Sequence, residues 1–329
     1  MDYLDNVWRS FRISWRHKYL WLIALFSGEG GGGGSFNFNS GTPGTSTGPG
    51  GTSNPQDLTA IQDQVTRFLA DYAGLIIALA VLWLVLVVVF FILSAICEGA
   101  TIRSSAEHDA ERPWGLRMAW RAGVLMMWPM FRFKLLLVAL GLPVLVLVLG
   151  FVAAIVVAAI NNNSGLGFGL FGLGVILLIP VAVYLIYLFF LDRLGSRALV
   201  LEQLGARAAI VRGHRLLFKR FGRTLLVWLL AIAVGLVLGI ATACLLAIVF
   251  VPVVLVGGLL AASNSSAIIP LIVVAVIVFL PISLVIGGFL AAQSSTYWTL
   301  AFRRLEIDRP PVVYQPYFPP AGPPAAPQA

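Results

Sequence analysis

Charge is what this sequence has least of. Only 11% of its 329 residues are Asp, Glu, Lys or Arg, against 59% hydrophobic residues and a mean hydropathy of +0.93. A water-soluble globular chain of this length is excluded. Charge-free runs cover 26 positions from Tyr72 to Cys97, 57 from Leu135 to Leu191 and 79 from Thr224 to Phe302, where a membrane helix needs roughly 20. Cysteine is nearly absent, and Cys97 and Cys244 lie at the end of one apolar run and inside another, which suits neither a disulfide framework nor a thiolate metal site. The three histidines, His17, His108 and His214, fall in separate segments without H-E-x-x-H or paired spacing. With no G-x-S-x-G and no GxxxxGK[ST] either, no nucleophile, metal centre or phosphate loop can be nominated. The chain therefore reads as non-enzymatic, with no cofactor and no metal.

What charge there is has a clear placement. The formal net charge is +8, and 21 of the 22 Lys and Arg residues fall in four segments beside apolar runs: Arg9 to Lys18, Arg103 to Lys134, Arg193 to Arg223 and Arg303 to Arg309. The positive-inside rule puts all four on the cytoplasmic side, so the basicity records topology and does not point to nucleic acid. Arg outnumbers Lys 19 to 3, and Gly, Ala and Pro are abundant, as in a GC-rich bacterial genome. The expected location is a bacterial plasma membrane, multi-pass, with both termini cytoplasmic.

These constraints predict an all-α polytopic bundle of six transmembrane helices with cytoplasmic amphipathic helices. Residues 1–27 form an interfacial helix and a short first span, for which Tyr19 to Phe26 is the apolar part; parity requires it to cross if the N-terminus is inside. Residues 28–71 form an external loop rich in Gly and Ser that resembles no phosphate-binding loop. Residues 72–302 form the bundle, with amphipathic stretches at 98–134 and 192–223. The 39 residues from Thr224 to Ala262 exceed one span, so a break is expected at Pro252 or Gly257-Gly258. Residues 303–329 are a cytoplasmic tail rich in proline, suited to polyproline II conformation and to a cytoplasmic partner.

Sliding the chain by 90 residues aligns Gly115, Arg117, Ala119, Gly123, Phe131, Leu135 and Leu136 with Gly205, Arg207, Ala209, Gly213, Phe221, Leu225 and Leu226. Phe11 to Arg16 has the same character, so a threefold two-helix repeat in one direction is expected. The layout, with Ser196-Arg197-Ala198-Leu199-Val200-Leu201-Glu202 followed by Arg212-Gly213-His214-Arg215-Leu216, resembles the membrane domain of some bacterial glycerophosphodiester phosphodiesterases and a wider set of six-span bacterial proteins. In those phosphodiesterases the chemistry belongs to a separate soluble domain with metal-binding His, Glu and Asp motifs. What the resemblance implies here is a membrane module without catalysis.

Two sets of residues stand out. Eight of the nine tryptophans lie in or beside the basic segments, as indoles do in the headgroup layer, and clustered bases attract anionic lipid. The expected lipid-interface residues are Arg212, Arg215, Lys219, Arg220, Trp120 and Trp128. Ala231, Gly235, Gly239, Ala243 and Ala247 recur every four positions and permit close helix packing, within the monomer or across a homo-oligomer face. Glu98 and Asp192 sit at the ends of their spans, where Arg103 and Arg193 are expected partners. The leading expectation is a membrane-organising or lipid-binding module; the alternative is a permease or channel for a neutral or lipidic solute, with Pro143, Pro180, Pro252 and Pro281 breaking helices around a cavity.

Overall fold

Apolar backbone inside a bilayer must satisfy its own hydrogen bonds, and for a chain without the period-2 pattern of a barrel strand the outcome is helix. In a computed structural model, which describes residues 3–28, 72–160, 164–262 and 268–305, the described residues are helices with short connections and no strand. The order is α1 (Tyr3–Arg16), α2 (Tyr19–Phe26), α3 (Ala73–Asp109), α4 (Leu116–Ile160), α5 (Ser164–Leu201), α6 (Ala206–Lys219), α7 (Phe221–Ala262) and α8 (Ile268–Leu305). Five of these, α3, α4, α5, α7 and α8, are long and apolar enough to cross a membrane. The chain is an α-helical membrane protein.

The long helices run well past the bilayer. At 1.5 Å per residue, the 45 residues of α4 extend about 68 Å, roughly twice a hydrocarbon core of about 30 Å. The excess projects from the basic end, where the last turns of α3 (Ala95 to Glu107), α5 (Phe190 to Leu201) and α8 (Ala291 to Leu305) are buried against one another. Ile102, Phe133, Leu194, Leu199 and Phe302 fill this junction, each fully buried side chain contributing about 1.5–3 kcal/mol. Two glycines mark the tightest crossings. A Cβ on Gly123 would lie 2.4 Å from the carbonyl oxygen of Ile96, and one on Gly288 2.5 Å from that of Trp21, so only hydrogen fits where α4 crosses α3 and where α8 passes α2.

Away from this junction the apolar arms separate. The α4–α5 hairpin holds together along its length, with the Tyr184 hydroxyl donating to the Leu140 carbonyl at 2.9 Å and Phe151 lying over Gly174. The α7–α8 hairpin meets at Phe250 and Phe279, whose ring centroids are 5.2 Å apart. α3 stands alone, exposed almost continuously from Ala73 to Phe90.

Several expectations change. Each of the amphipathic stretches 98–134 and 192–223 is shared between helices: 98–109 and 192–201 are the buried ends of α3 and α5, while 116–134 and 206–219 are the surface part of α4 and the whole of α6. The apolar flanks decide this, because a helix already formed through the membrane propagates outward more readily than a new one nucleates. The break expected at Pro252 or Gly257-Gly258 is absent, and α7 continues to Ala262 with Pro252 inside it. Arg303 and Arg304, expected in the tail, belong to the last turn of α8. The short first span, α2, ends level with Ser94, whose hydroxyl donates to the Ser27 carbonyl at 3.2 Å. That point lies about 32 Å along α3 from its start at Ala73. The loop from residue 29 onward and the tail beyond Leu305 lie outside the described residues.

The two connections out of the junction are alike. Two residues after α3 and two after α5, Glu111 (φ 55°) and Gln203 (φ 53°) take the left-handed conformation that reverses the chain. Each turn leads to a helix that doubles back over the one just ended.

Candidate functional site

The ends of α3, α5 and α8 enclose a polar layer that no motif announced. Thr101, Ser104, Ser105, Ser196, Arg197, Ser295, Thr296 and Thr299 are all inaccessible to solvent. Ser105 and Thr296 share a hydrogen bond at 2.9 Å between α3 and α8, and Arg197 donates to the carbonyls of Arg193 at 2.9 Å and Ser295 at 3.5 Å. Small hydroxyl residues let three helix ends approach closely, and Thr101, Ser196 and Thr299 satisfy their hydroxyls on carbonyls of their own helices. Glu98 and Asp192 meet a partner the sequence did not offer. Lys134, on α4, places its ammonium 2.8 Å from Glu98 and 2.7 Å from Asp192, tying three helices through one half-buried cation. Arg103 reaches Glu107 at 2.7 Å.

The N-terminal helix closes the junction from outside. Its inner face, Asn6, Ser10, Ile13 and Ser14, is buried, and Asp5 pairs with Arg304 at 2.8 Å while Arg9 pairs with Asp109 at 2.8 Å, where Arg303 also arrives. The Arg304 guanidinium holds the Asp5 carboxyl below its ordinary range. Here two histidines converge that the sequence left apart: the rings of His17 and His108 stack at 3.6 Å with an interplanar angle of 10°. The Tyr19 hydroxyl lies 2.5 Å from His108 Nε2. Burial, and then the charge of His17, lowers His108 to about 4; burial and then Arg16 lower His17. Both rings are neutral near pH 7. No group of three His, Cys, Asp or Glu side chains able to hold a metal occurs among the described residues.

The outer surface of the basic end carries ridges in which arginines alternate with apolar side chains. On α1, Leu4, Trp8 and Trp15 are exposed, with Phe11 stacked between the two indoles at 6.1 and 6.0 Å and Arg12 and Arg16 alongside. On the first half of α4, Trp120, Val124, Leu125 and Trp128 are exposed among Arg117, Arg121 and Arg132. The Arg132 guanidinium lies over the Trp128 ring, 4.9 Å from its centroid. On α6, Val211 and Phe218 are exposed beside Arg207, Arg215 and Lys219.

Of the expected lipid-interface residues, then, Trp120, Trp128, Arg215 and Lys219 face outward. Arg212 is half-buried: its Nε lies 3.1 Å from a Glu202 oxygen, holding the middle of α6 to the residue that follows α5, and Arg220 is half-buried at the α6–α7 corner. Arg132 and Arg207 are also exposed on this surface. Beyond Ala231 the small-residue stripe does not pack against the described residues. Gly235, Gly239, Ala243 and Ala247 are exposed, Ala231 is half-buried at the junction, and a Cβ at Gly235 or Gly239 would meet nothing within 4 Å. The face of α7 turned inward is Thr224, Val227, Trp228 and Ala231.

Residues 9–300 match the sequence model of a family described as a family of unknown function (DUF7544). No curated protein and no solved structure matches the chain.

Proposed function

Since the chain belongs to the DUF7544 family, matched over nearly its whole length, we propose that it is a non-enzymatic integral membrane protein of the bacterial plasma membrane that engages anionic lipid at the cytoplasmic face. One observation carries this reading: three separate helices, α1, α4 and α6, present exposed Trp, Phe, Leu and Val interleaved with arginine at the end where the apolar spans emerge. Such a surface is costly in water and favourable in the headgroup layer, where indoles bury their rings and each base gains about 1 kcal/mol from anionic lipid. Beneath it, the polar layer and the Lys134 bridge form a rigid platform.

In this reading the basic end is cytoplasmic and the chain crosses six times, as three copies of an amphipathic helix followed by two spans. The equivalent left-handed turns at Glu111 and Gln203, and the meeting of α3, α5 and α8 at one junction, support the repeat.

The test is lipid retention. Full-length protein reconstituted in nanodiscs of equal phosphatidylglycerol and phosphatidylcholine, then analysed by native mass spectrometry, should carry phosphatidylglycerol in several-fold excess. Retention in proportion to the bulk mixture refutes the lipid-binding reading.

A further inference from the structure

α1 carries two stripes that do not coincide. At 3.6 residues per turn, Arg9, Arg12 and Arg16 lie about 100° around the helix from Trp8, Phe11 and Trp15. The aromatic stripe turns to the base of the α8 arm, where Phe11 and Trp15 meet Phe289 edge-on at 5.5 and 5.8 Å. The arginine stripe turns to the end of α3, and a cavity of about 700 Å³ lies there, within the range of ligand sites. The three arginines form one wall, the stacked rings of His17 and His108 another, and the turn from Glu111 to Pro113 the third. Its charge is one-sided. Asp5 is met by Arg304, Asp109 by Arg303 and Glu107 by Arg103, all arginines from outside the lining. Against the guanidiniums of Arg9, Arg12, Arg16 and Arg112 there remains only Glu111. Two of these heads are fixed in place, Arg9 with Nε 2.8 Å from Asp109 and Arg112 with Nη1 3.1 Å from Glu107. The other two, Arg12 and Arg16, form no ion pair among the described residues. Their charges reach the Asp5 carboxyl and the His17 ring respectively, both of which line the cavity.

We propose that this cavity binds a water-soluble polyphosphate anion, held between Arg12 and Arg16 on one side and Arg112 on the other, with the neutral imidazole of His17 beside it. The site goes beyond the lipid-binding reading and does not depend on it. Planar guanidinium forks donate in pairs to phosphate oxygens, and a cleft lined by one sign of charge concentrates the field on the anion that enters. Several guanidiniums facing one carboxylate call for more than a single negative charge. Depth decides between a soluble anion and a lipid headgroup. Asp109, beside the cavity, lies about 16 Å further along α3 than Glu98, the first charge after the apolar run. The headgroup region adds only about 5–8 Å to each side of the hydrocarbon core. The arginine stripe is thus on the aqueous side, and the aromatic stripe, a quarter-turn away, is the one that turns to the apolar arms.

The experiment titrates full-length protein, in nanodiscs of phosphatidylcholine alone, with inorganic pyrophosphate in a calorimeter at physiological salt. Saturable uptake of one pyrophosphate per chain is expected, with inorganic phosphate, which carries less charge, binding about tenfold more weakly. Arg12→Gln with Arg16→Gln should weaken pyrophosphate binding by at least about tenfold. Both side chains are exposed, so the fold should be kept. Arg215→Gln with Lys219→Gln removes the same charge from α6 and should change binding by less than about twofold, because distant exposed charges are screened. Pro113→Trp narrows the cavity without changing charge and should also weaken binding, which provides a second variant should the arginine pair fold poorly. In the mixed phosphatidylglycerol nanodiscs described above, the Arg12/Arg16 variant should keep most of the lipid enrichment of the parent. No saturable uptake, equal affinity for phosphate and pyrophosphate, unchanged binding in the Arg12/Arg16 or Pro113 variant, or an equal loss in the Arg215/Lys219 pair overturns the assignment. A fall in phosphatidylglycerol enrichment as steep as the fall in pyrophosphate binding also overturns it, showing that the arginine stripe serves the bilayer and leaving the lipid reading in place. Parent protein that binds pyrophosphate but shows no phosphatidylglycerol preference overturns the lipid reading and leaves the cavity standing.

Discussion

Replacing Lys134 with methionine tests the platform at its most connected point. The ammonium sits 2.8 Å from Glu98 and 2.7 Å from Asp192, and Glu98 is fully buried. At an effective dielectric of 20, each contact represents about 6 kcal/mol of raw attraction. Most of this is offset by desolvation of the three charges, so the net worth of the triad against an apolar substitute is small. Truncating one partner is different, because the carboxylates remain behind in a site built for a cation, and the loss should be about 3–5 kcal/mol. Methionine keeps the length of the lysine stem, so packing changes little. Unfolding followed by tryptophan fluorescence in mixed micelles of increasing sodium dodecyl sulfate should show this loss. The triple variant Glu98→Gln, Lys134→Met, Asp192→Asn removes charge from the whole triad and should recover to within about 1–2 kcal/mol of the parent. A loss below about 1 kcal/mol for Lys134→Met, or a triple variant as unstable as the single, would refute the account of Lys134 as the tie between α3, α4 and α5.

Other outcomes follow from the same structure. His108, held neutral to about pH 4 in the fold, takes up its proton near its ordinary 6.5 when unfolded. Stability is therefore full above about pH 6.5 and falls as pH drops toward 4, by about 1–2 kcal/mol after allowing for screening by Arg9, Arg12, Arg16, Arg112, Asp109 and Glu111 around it; His108→Gln should flatten that slope, and an unchanged slope counts against the stacked pair. Gly123→Leu should prevent folding, since even a Cβ there meets the Ile96 carbonyl oxygen at 2.4 Å, whereas Gly239→Leu should leave the thermal midpoint of the monomer in detergent unchanged; a fall at Gly239 would show that the stripe is covered by another copy. For topology, a cysteine in place of Glu111 should resist an impermeant reagent in intact cells, and one in place of Tyr72 should react, with Cys97 and Cys244 replaced in both; the opposite pattern reverses the orientation.

The membrane class and the long spans were legible because a 26-residue charge-free run permits few other structures. The exposed indoles at Trp120 and Trp128 were legible too, since tryptophan beside arginine reports interfacial depth. The buried ends of α3 and α5 were not. Their sequence, with Glu98, Arg103 and Glu107 or with Asp192, Arg193 and Arg197, has the composition of a surface, and only the convergence of three helices converts it into an interior. The Lys134 bridge and the His17–His108 stack join residues 36, 58 and 91 positions apart, contacts that no local period encodes. The stripe on α7 misled for a related reason: spacing of four identifies a face of a helix but not what stands opposite, and on α7 the inward face is the one bearing Val227 and Trp228.

The separation of the arms above their common junction has a mechanical consequence. Each hairpin is clamped at one end and free along the rest, like a cantilever, so its stiffness within the bilayer comes from the helices themselves and from the lateral pressure of the surrounding chains. α3 has no internal proline, whereas α4, α5, α7 and α8 each carry at least one, making α3 the stiff member and the others the compliant ones. A change in bilayer thickness or tension would therefore bend four arms about a fixed fifth, and the torque would be delivered at their shared root, where Lys134 and the hydroxyl layer hold the helix ends together.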